Sequence, residues 1–418
     1  MSNTFLAQLR ADKDHVLMAQ RKKDRILSRP ILWYLLLTAI CVFGRDSFLA
    51  PLKLPENLYH YIRYGATTIA TLYALFFIKK KFVVWLISME MFFGLSYLFA
   101  YIQGYMLRDK VILYTITTLI VCIPGAVSLA SMTSFEYFYQ RLRIIAFFVS
   151  IICLLYLFSP TVSFLYSMPA SYQLLWCCSI HVNEIFKNDN PRSKVFYTII
   201  SIIEFGAIFI RGARGPLFCF AIYLASKIVI EMRYSVKAIV TALVGFIALA
   251  TVANSITEVL NWIGIKLSQA GIYSRNLHFL IHNTVFDASG REVFHSRAID
   301  LIWERPFLGY GASSDVKLLG GQYTHSLPLE LMFDFGIVVG GIIFIVICIH
   351  VIRTFLVDTG IKRDLKLIFL TEGFVMLFFS GTYLQNIFFF MFIGVLLSEA
   401  HSYKITLVNR DRSGQVML

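Results

Sequence analysis

Apolar stretches long enough to cross a lipid bilayer recur along most of this sequence. The hydrocarbon core of a bilayer is about 30 Å thick, so a spanning helix needs about 20 mostly apolar residues. About a dozen stretches approach this length, and they lie near 30–44, 60–78, 82–107, 111–132, 143–167, 169–186, 195–212, 215–231, 236–256, 328–352, 365–381 and 383–399. Since 58% of the residues are hydrophobic and only 15% are charged, composition excludes a soluble fold. We therefore predict an all-α, polytopic integral membrane protein, with residues 1–418 forming one domain.

The distribution of lysine and arginine predicts the orientation of these spans. Loops on the cytoplasmic side of a membrane are enriched in both residues. If the N-terminus is cytoplasmic, the inner loops contain most of the basic residues, including Lys79, Lys80, Lys81, Arg141, Arg143, Lys362 and Arg363. We therefore predict cytoplasmic tails at 1–29 and 400–418, and a large outer loop with short helices at 257–327.

The net charge of the chain first suggests a nucleic-acid partner, because 38 Lys and Arg residues stand against 25 Asp and Glu residues. In the outer loop, however, the basic residues are matched by acidic ones: Lys266, Arg275, Arg291, Arg297, Arg305 and Lys317 against Glu258, Asp287, Glu292, Asp300, Glu304 and Asp315. A nearly neutral loop offers no basic surface for phosphates. We predict no nucleic-acid partner.

The stretch 289–340 combines turn-rich polar sequence with the start of an apolar span. Ser289 and Glu292 have the S-x-x-E spacing of a capping box. Apolar residues then recur at helical spacing until Pro and Gly residues stop the pattern, at Phe294, Ala298, Leu301, Ile302, Pro306, Gly309 and Gly311. Arg291 therefore falls in a first helical turn, where free N–H groups favour a phosphate ligand. Alternatively, Arg291 pairs with Glu292.

A second candidate phosphate site lies in the sequence I-F-I-R-G-A-R-G-P-L-F at 208–218. Gly215 and Pro216 predict the N-cap and first position of a helix, so its positive end would point outward beside Arg214. The alternative is that Arg211 and Arg214 extend to lipid headgroups. For Arg214 this alternative is weaker, because outer arginines without a function are disfavoured.

His325 lies just before the apolar stretch that begins near Pro328, and Glu330 follows it by five residues. Histidine is the side chain whose pKa suits proton transfer near neutral pH, although at a membrane surface it is often merely solvated. A zinc site is a further alternative, since His278 and His282 have i,i+4 spacing and His295 or His325 would join them. No H-E-x-x-H motif or cysteine ligand accompanies these histidines, so we predict no metal site.

In their order along the chain, these motifs resemble the O-antigen ligase and polymerase superfamily. The resemblance rests on A-R-G at an outer helix start, G-R before a helix that ends in E-R-P-F-L-G-Y-G, then H-S-L-P-L-E-L and F-G-I-V-V-G. Members of the family show G-R, P-L-L-G-x-G and H-N-x-x-L-E before a G-x-x-G span. The resemblance covers roughly 195–345 by motif and the whole chain by topology. Two features depart from the family pattern: Ser326 stands where the family has asparagine, and the sixth span lacks its Gly/Asn-rich pattern.

The resemblance implies a membrane glycosyltransferase that needs neither metal nor cofactor. Such an enzyme transfers a glycan from undecaprenyl diphosphate to an acceptor sugar hydroxyl at the periplasmic face of the bacterial inner membrane. The phosphate-binding arginines of the family correspond to Arg214 and Arg291, with Arg211 as a further candidate, and its essential histidine corresponds to His325. Arginine suits stabilisation of a departing diphosphate, and histidine suits a general base. Glu330 either orients His325 or is simply a residue at a helix end.

Two sister activities and one different class of protein remain open. A polymerase extends lipid-linked repeats, whereas a ligase moves the polymer onto lipid A core. We favour the polymerase, because the chain is rich in Phe and Tyr (38 and 22) and the outer loop is modest. An exporter of lipid-linked sugars is the alternative from another class. Expected partners are the undecaprenyl-diphosphate-linked oligosaccharide, an acceptor glycan, membrane lipids and a chain-length regulator.

Overall fold

The computed structural model describes residues 3–107, 113–159, 167–231, 240, 257–269, 274–281, 291–357 and 359–399. Within these ranges every regular element is helical, which confirms the predicted all-α fold class for this part of the chain. The helices are α1 Asn3–Thr38, α2 Glu56–Leu75, α3 Lys80–Ile102, α4 Leu113–Ser131, α5 Glu136–Leu157, α6 Met168–Lys187, α7 Pro191–Arg211, α8 Arg214–Glu231, α9 Thr257–Gln269, α10 Arg275–Ile281, α11 Arg291–Glu304, α12 Asp315–Leu318, α13 Leu327–Val357, α14 Gly360–Phe369 and α15 Ile387–Leu397.

Several of these helices are long and apolar enough to cross a membrane. Among the described residues there are six such segments: Val16–Gly44, Lys80–Ile102, Leu113–Ser131, Glu136–Leu157, Pro191–Arg211 and Leu327–Arg353. Their length and composition support the predicted membrane-embedded protein. The helices α2, α6 and α8 coincide with three further predicted stretches. The predicted span 236–256 lies outside the described residues apart from residue 240, so a total of twelve spans stays a prediction.

The last two predicted spans, 365–381 and 383–399, differ from the structure. Helix α14 passes into a π-helical segment, Leu370–Val375, and then into a short turn of 3-10 helix. Helix α15 has only 11 residues. The chain turns between them because Gly381 adopts a positive φ of 84° and Asn386 caps α15, its side chain accepting a hydrogen bond from Phe389 N at 3.1 Å. The chain is thus helical without a break from Gly360 to Phe378, which covers most of the first predicted stretch, whereas the second contains only a turn of 3-10 helix and the short α15.

Helix α6 lies at the centre of the packed body and contacts α5, α7, α8 and α14. Ser167 caps its start by accepting a hydrogen bond from Ala170 N at 3.3 Å. The Trp176 side chain is fully buried, and so are most residues around it on α6. Close packing elsewhere depends on small residues, since a Cβ at Gly394 of α15 would lie 2.9 Å from the Cα of Ala126 on α4. These contacts fix the position of α6 relative to its neighbours.

The predicted span 328–352 is interrupted, because α13 breaks at Gly336, which has φ 80° and ψ 167°. The loop that contains P-F-L-G-Y-G docks into this break. Three backbone hydrogen bonds join them: Tyr310 N to Phe333 O at 2.9 Å, Gly311 N to Asp334 O at 2.9 Å, and Ile337 N to Pro306 O at 2.7 Å. We call residues 306–311 and 333–337 the Gly336 joint.

Glycine is required at the centre of the Gly336 joint. A Cβ at Gly336 would lie 2.5 Å from the carbonyl carbon of Phe307, and φ is positive there. Gly309 faces it, also with positive φ, and a Cβ at Gly309 would lie 2.6 Å from Phe333 O. An L-residue at either position would be strained and would overlap backbone atoms. The glycines of the E-R-P-F-L-G-Y-G and F-G-I-V-V-G motifs therefore also have a structural role.

Candidate functional site

Tyr172, near the start of α6, lies between the residues predicted to bind phosphate. A side chain at Gly215 would overlap the Tyr172 hydroxyl, so this hydroxyl lies directly against the Gly215 backbone. Gly215 follows Arg214, the first residue of α8. The same hydroxyl lies within Coulombic range of Arg291. The start of α8 thus lies against the Tyr172 hydroxyl, and the charge of Arg291 at the start of α11 acts on the same residue.

The start of α8 differs slightly from the prediction. The sequence predicts Gly215 as N-cap and Pro216 as first position, whereas the helix begins at Arg214, two residues before Pro216. Pro216 is buried inside the first turn, where a missing N–H removes no intrahelical hydrogen bond. Arg214 is therefore itself a residue of the first turn, next to free backbone N–H groups. This position favours an anionic ligand more directly than a place before the helix.

Helix α11 has the predicted form, since Arg291 lies in its first turn and Ala298 and Ile302 form its buried face. The predicted capping residue Ser289 lies outside the described residues. The structure records no ion pair between Arg291 and Glu292, both of which it describes, and adjacent residues on a helix point in different directions. The Arg291 side chain is only half-buried and so retains access to a ligand.

His325 is held in an uncommon backbone conformation by the loop before α13. Its φ is 54°, in the left-handed region, and its ring packs on that of Tyr323 with 4.0 Å between centroids. The intervening Thr324 donates its backbone N–H to Asp315 Oδ2 at 3.2 Å. Burial raises the pKa of Asp315 to about 6, opposed by this bond and by one from Val316 N. Strain of this kind persists only where surrounding contacts impose it, and it is frequent at functional sites.

The surroundings of His325 favour a neutral imidazole. Its pKa is lowered to about 4, first by burial and then by the positive charges of Arg291 and His295. This value is below the near-neutral pKa expected of the predicted base. His295 lies one helical turn after Arg291 on α11, so both face His325. The His325 Nδ1 is buried and has no hydrogen-bond partner in the described part of the chain, which leaves it available to a ligand.

Glu330 is buried and is hydrogen-bonded to residues 382 and 383. Its carboxylate accepts hydrogen bonds from the Thr382 hydroxyl and, at 3.4 Å, from Tyr383 N. The structure records no hydrogen bond between Glu330 and His325, which are both described. In this structure Glu330 therefore fixes the turn before α15, and its predicted role in orienting His325 is not seen as a direct contact.

Arg211, the further predicted phosphate ligand, ends α7 and is buried, with 8% of its surface exposed. Its carbonyl accepts a hydrogen bond from Ser167 N at 3.1 Å, which ties the end of α7 to the start of α6. An arginine that reached lipid headgroups would be exposed on the helix surface. The burial of Arg211 therefore disfavours the lipid alternative for this residue.

A cavity of about 250 Å³ lies beside Tyr172 and Tyr323. Its walls come from α1, α4, α6 and residues 372–388, and its polar lining consists of Thr38, Gln173, Glu372, Thr382, Gln385 and Asn386, besides the tyrosines. The Tyr172 hydroxyl and both carboxylate oxygens of Glu372 are buried and find no hydrogen-bond partner among the described residues. These unsatisfied groups mark the wall as a place for a polar ligand.

Within the described ranges, no side chains are grouped with His278 as the zinc alternative would require. His278 is exposed on α10, and His282 lies outside those ranges. Within them, no group of three or more His, Cys, Asp or Glu side chains is arranged to hold a metal ion.

Four residues of the site were not predicted from the sequence for these positions: Tyr172, Tyr323, Glu372 and, as a neighbour of His325, His295. Two of them have a local signal: His295 has i,i+4 spacing from Arg291, and Glu372 is an ionisable residue within a predicted span.

The chain matches no protein-family model, and no curated protein or solved structure shows significant similarity to it.

Proposed function

We propose that this protein is a membrane glycosyltransferase of the O-antigen polymerase type, which transfers a glycan from undecaprenyl diphosphate to an acceptor sugar hydroxyl. The observation that supports it most is that Arg291 acts electrostatically on both His325 and Tyr172, while Tyr172 lies against Gly215, the residue after Arg214. Two helix starts with arginines suit a diphosphate, and a neutral histidine beside one of them suits a proton acceptor. The resemblance in motif order adds to this support.

In the proposed reaction the acceptor hydroxyl oxygen attacks the anomeric carbon of the donor glycan. The bond between that carbon and the diphosphate oxygen breaks, and the lipid diphosphate leaves as an anion that Arg214 and Arg291 stabilise. The hydroxyl proton passes to His325. A bound diphosphate would offset the charge of Arg291 and thereby raise the pKa of His325 from its low value. The donor would thus make His325 a stronger base only when the substrate is present.

Two buried charges in the helices, Lys227 and Glu204, are tied to structural partners, which gives the exporter alternative less support. A transporter commonly has ionisable residues along its path that are not tied to structural partners. Here Lys227 is bonded to Asp364 at 2.9 Å and to Glu231 at 2.6 Å. Glu204 is bonded to His181 at 2.9 Å. The ionisable residues within predicted spans that an exporter would use are Arg63, Glu204, Lys227 and Glu372. Lys227 and Glu204 are therefore part of the packed structure, whereas the carboxylate of Glu372 has no hydrogen-bond partner within the described ranges.

The finer topology also belongs to this proposal. The protein has about twelve spans, both termini are cytoplasmic, and the loop 257–327 with the active site faces the periplasm of the bacterial inner membrane. The partners are the lipid-linked oligosaccharide, the acceptor glycan, membrane lipids and a chain-length regulator. No cofactor is needed, because the arginines supply the positive charge.

The deciding experiment uses the full-length protein in lipid nanodiscs with an undecaprenyl-diphosphate-linked oligosaccharide. We expect release of undecaprenyl diphosphate together with a ladder of extended glycans, unchanged in the presence of EDTA. Release only after addition of lipid A core would identify a ligase instead. Movement of intact donor across proteoliposome membranes, without release of lipid diphosphate, would identify an exporter.

The orientation is tested by cysteine labelling in spheroplasts with a membrane-impermeant maleimide. Gln322→Cys adds a thiol at an exposed position of the loop before α13, and Asp189→Cys adds one at an exposed position of the loop predicted to be cytoplasmic. Six of the native cysteines are buried and Cys348 is partly buried, so background labelling should be low. We expect labelling at 322 before lysis and at 189 only after lysis. The opposite pattern would invert the topology.

A further inference from the structure

Glu372 is a buried acidic residue, neither of whose carboxylate oxygens is hydrogen-bonded in the described part of the chain. It is 1% exposed, both of its carboxylate oxygens are buried without a hydrogen-bond partner there, and its side chain lines the cavity. A buried carboxyl group is costly unless hydrogen bonds or a charge satisfy it. Buried charges elsewhere, such as Lys227 and Glu204, have such partners. Within the described ranges, therefore, no hydrogen bond to the chain itself explains why the Glu372 carboxyl group is buried.

The backbone around Glu372 is also unusual, because the residue lies in the π-helical segment Leu370–Val375. Two further π-helical segments, Ala39–Gly44 and Thr117–Cys122, lie next to residues that line the same cavity, Thr38 and Tyr114. Such segments are rare within α-helices and frequent at functional sites. Their position around one cavity is an observation independent of the unsatisfied carboxylate.

The chemistry of the wall indicates the class of ligand. Aromatic rings of Tyr34, Tyr172, Tyr323 and Phe388 provide flat apolar faces, while Gln173 and Gln385 provide amide groups that both donate and accept hydrogen bonds. A carboxylate accepts hydrogen bonds from two adjacent donors. A sugar ring has one apolar face and adjacent hydroxyl groups, so it matches the rings, the amides and the carboxylate together.

Other ligand classes fit less well. A cation would meet the positive charges of Arg291 near Tyr172 and of Arg63 near Tyr34. The volume of about 250 Å³ lies at the lower end of small-molecule sites, which suits a single ring rather than a chain.

We propose that this cavity binds one neutral sugar ring, with Glu372 and the Tyr172 hydroxyl as its hydrogen-bonding anchors. Tyr323 belongs both to the cavity wall and to the ring pair with His325, so a sugar held there lies beside the proposed base. The site would hold the acceptor sugar, an assignment that rests on the proposed function. Glu372 is a binding residue in this scheme and takes no part in the proton transfer.

The test uses wild-type protein in nanodiscs and N,N′-dicyclohexylcarbodiimide, an apolar reagent that modifies buried carboxyl groups. Labelling is located by peptide mass spectrometry, with and without millimolar glucose, galactose, N-acetylglucosamine or rhamnose. We expect Glu372 to be labelled, and at least one sugar to slow its labelling threefold or more. Glu330 is the internal control, because it is equally buried but hydrogen-bonded to Thr382 and Tyr383. Its labelling should not respond to sugar.

Saturation-transfer NMR with the protecting sugar provides a second measurement. Glu372→Gln should weaken binding at least fivefold, because it replaces a carboxyl oxygen by an amide NH₂ group at nearly constant volume, and Tyr172→Phe should weaken it less. The proposal is overturned if Glu372 is not labelled, if no sugar protects it, or if only sodium or calcium ions do. Free-sugar binding requires neither donor nor turnover. A protein that releases lipid diphosphate but shows no protection keeps the proposed function and loses this inference, and protection without turnover does the reverse.

Discussion

The Gly336 joint and the cavity wall differ in the hydrogen bonding of their buried groups, since the joint is closed by backbone pairs even though Asp334 Oδ1 within it has no partner among the described residues. In the joint, the backbone N–H groups of Tyr310, Gly311 and Ile337 each donate to a carbonyl across the break in α13. At the cavity, the Tyr172 hydroxyl and the Glu372 carboxylate have no hydrogen-bond partner within the described ranges. His325, whose ring packs on Tyr323 of the cavity wall, has an equally unsatisfied Nδ1.

This difference separates structural motifs from functional ones. An unbonded buried polar group costs about 1–3 kcal/mol, so a carboxyl group with neither oxygen bonded is a candidate for contact with a ligand. The glycines of the joint are needed to close backbone contacts. The polar residues at the cavity lower stability, and in the proposed site they gain contacts with a sugar. Substitutions in the joint should therefore affect folding, and substitutions at the cavity should affect activity.

The largest expected effect is that of Gly336→Ala. Alanine would be strained at the positive φ of 80° and would overlap the Phe307 carbonyl, so the joint would open and the folded protein would be lost or strongly destabilised. The measurement is the apparent melting temperature in detergent, followed by size-exclusion chromatography. Gly341→Ala on the same helix is the matched control, because nothing lies within 4 Å of a Cβ there. Equal melting of the two variants would show that the joint does not hold the fold.

The next effect is the loss of transfer in His325→Ala. General base catalysis contributes about 10²- to 10⁴-fold, so transfer should fall by that factor while melting temperature and donor binding stay close to wild type. His325→Asn keeps a polar side chain that cannot accept a proton at neutral pH, and it should be equally inactive. Full activity of His325→Asn would reduce His325 to a positioning residue, and lost donor binding would assign it to the donor site.

A smaller effect is expected when the arginines are replaced by lysine. Arg291→Lys and Arg214→Lys keep the charge but lose the planar pair of donors, so transfer should fall by about 10- to 100-fold, the value of one or two charged hydrogen bonds. Alanine at either position should be worse. Arg297→Lys is the control, since Arg297 lies on the same helix as Arg291 but is exposed. A similar loss of transfer in Arg297→Lys would mean that replacing any arginine of this helix lowers activity, and that the effect is not specific to the site.

The smallest effect concerns the titration of His325. Diethyl pyrocarbonate reacts with neutral imidazole, so its rate at His325 should fall with decreasing pH around a midpoint of about 4. An ordinary histidine would show this midpoint near 6.5. Arg291→Gln removes one of the charges that disfavour the protonated ring, and it should therefore move the midpoint upward. A midpoint near 6.5 in the wild type would show that burial and Arg291 do not act on His325 as the structure indicates.

Much of the helical framework follows from local sequence. The helix that begins at Arg291 was predicted with its buried face at Ala298 and Ile302, because apolar spacing alone specifies that face. The break at Gly336 was not predicted, since the apolar run 328–352 continues through it without a local signal. Only contact with the loop 306–311 shows why glycine is needed there.

The sequence by itself determined that the chain is helical and membrane-embedded, and it identified Arg214, Arg291 and His325 as candidates, because hydrophobicity, charge and helix starts are local properties. The tertiary structure decided which residues meet them. Tyr172 reaches Gly215, and Tyr323 and Glu372 share a cavity, through packing between helices far apart in the chain. It also lowered the pKa of His325, since burial and the approach of Arg291 exist only after folding.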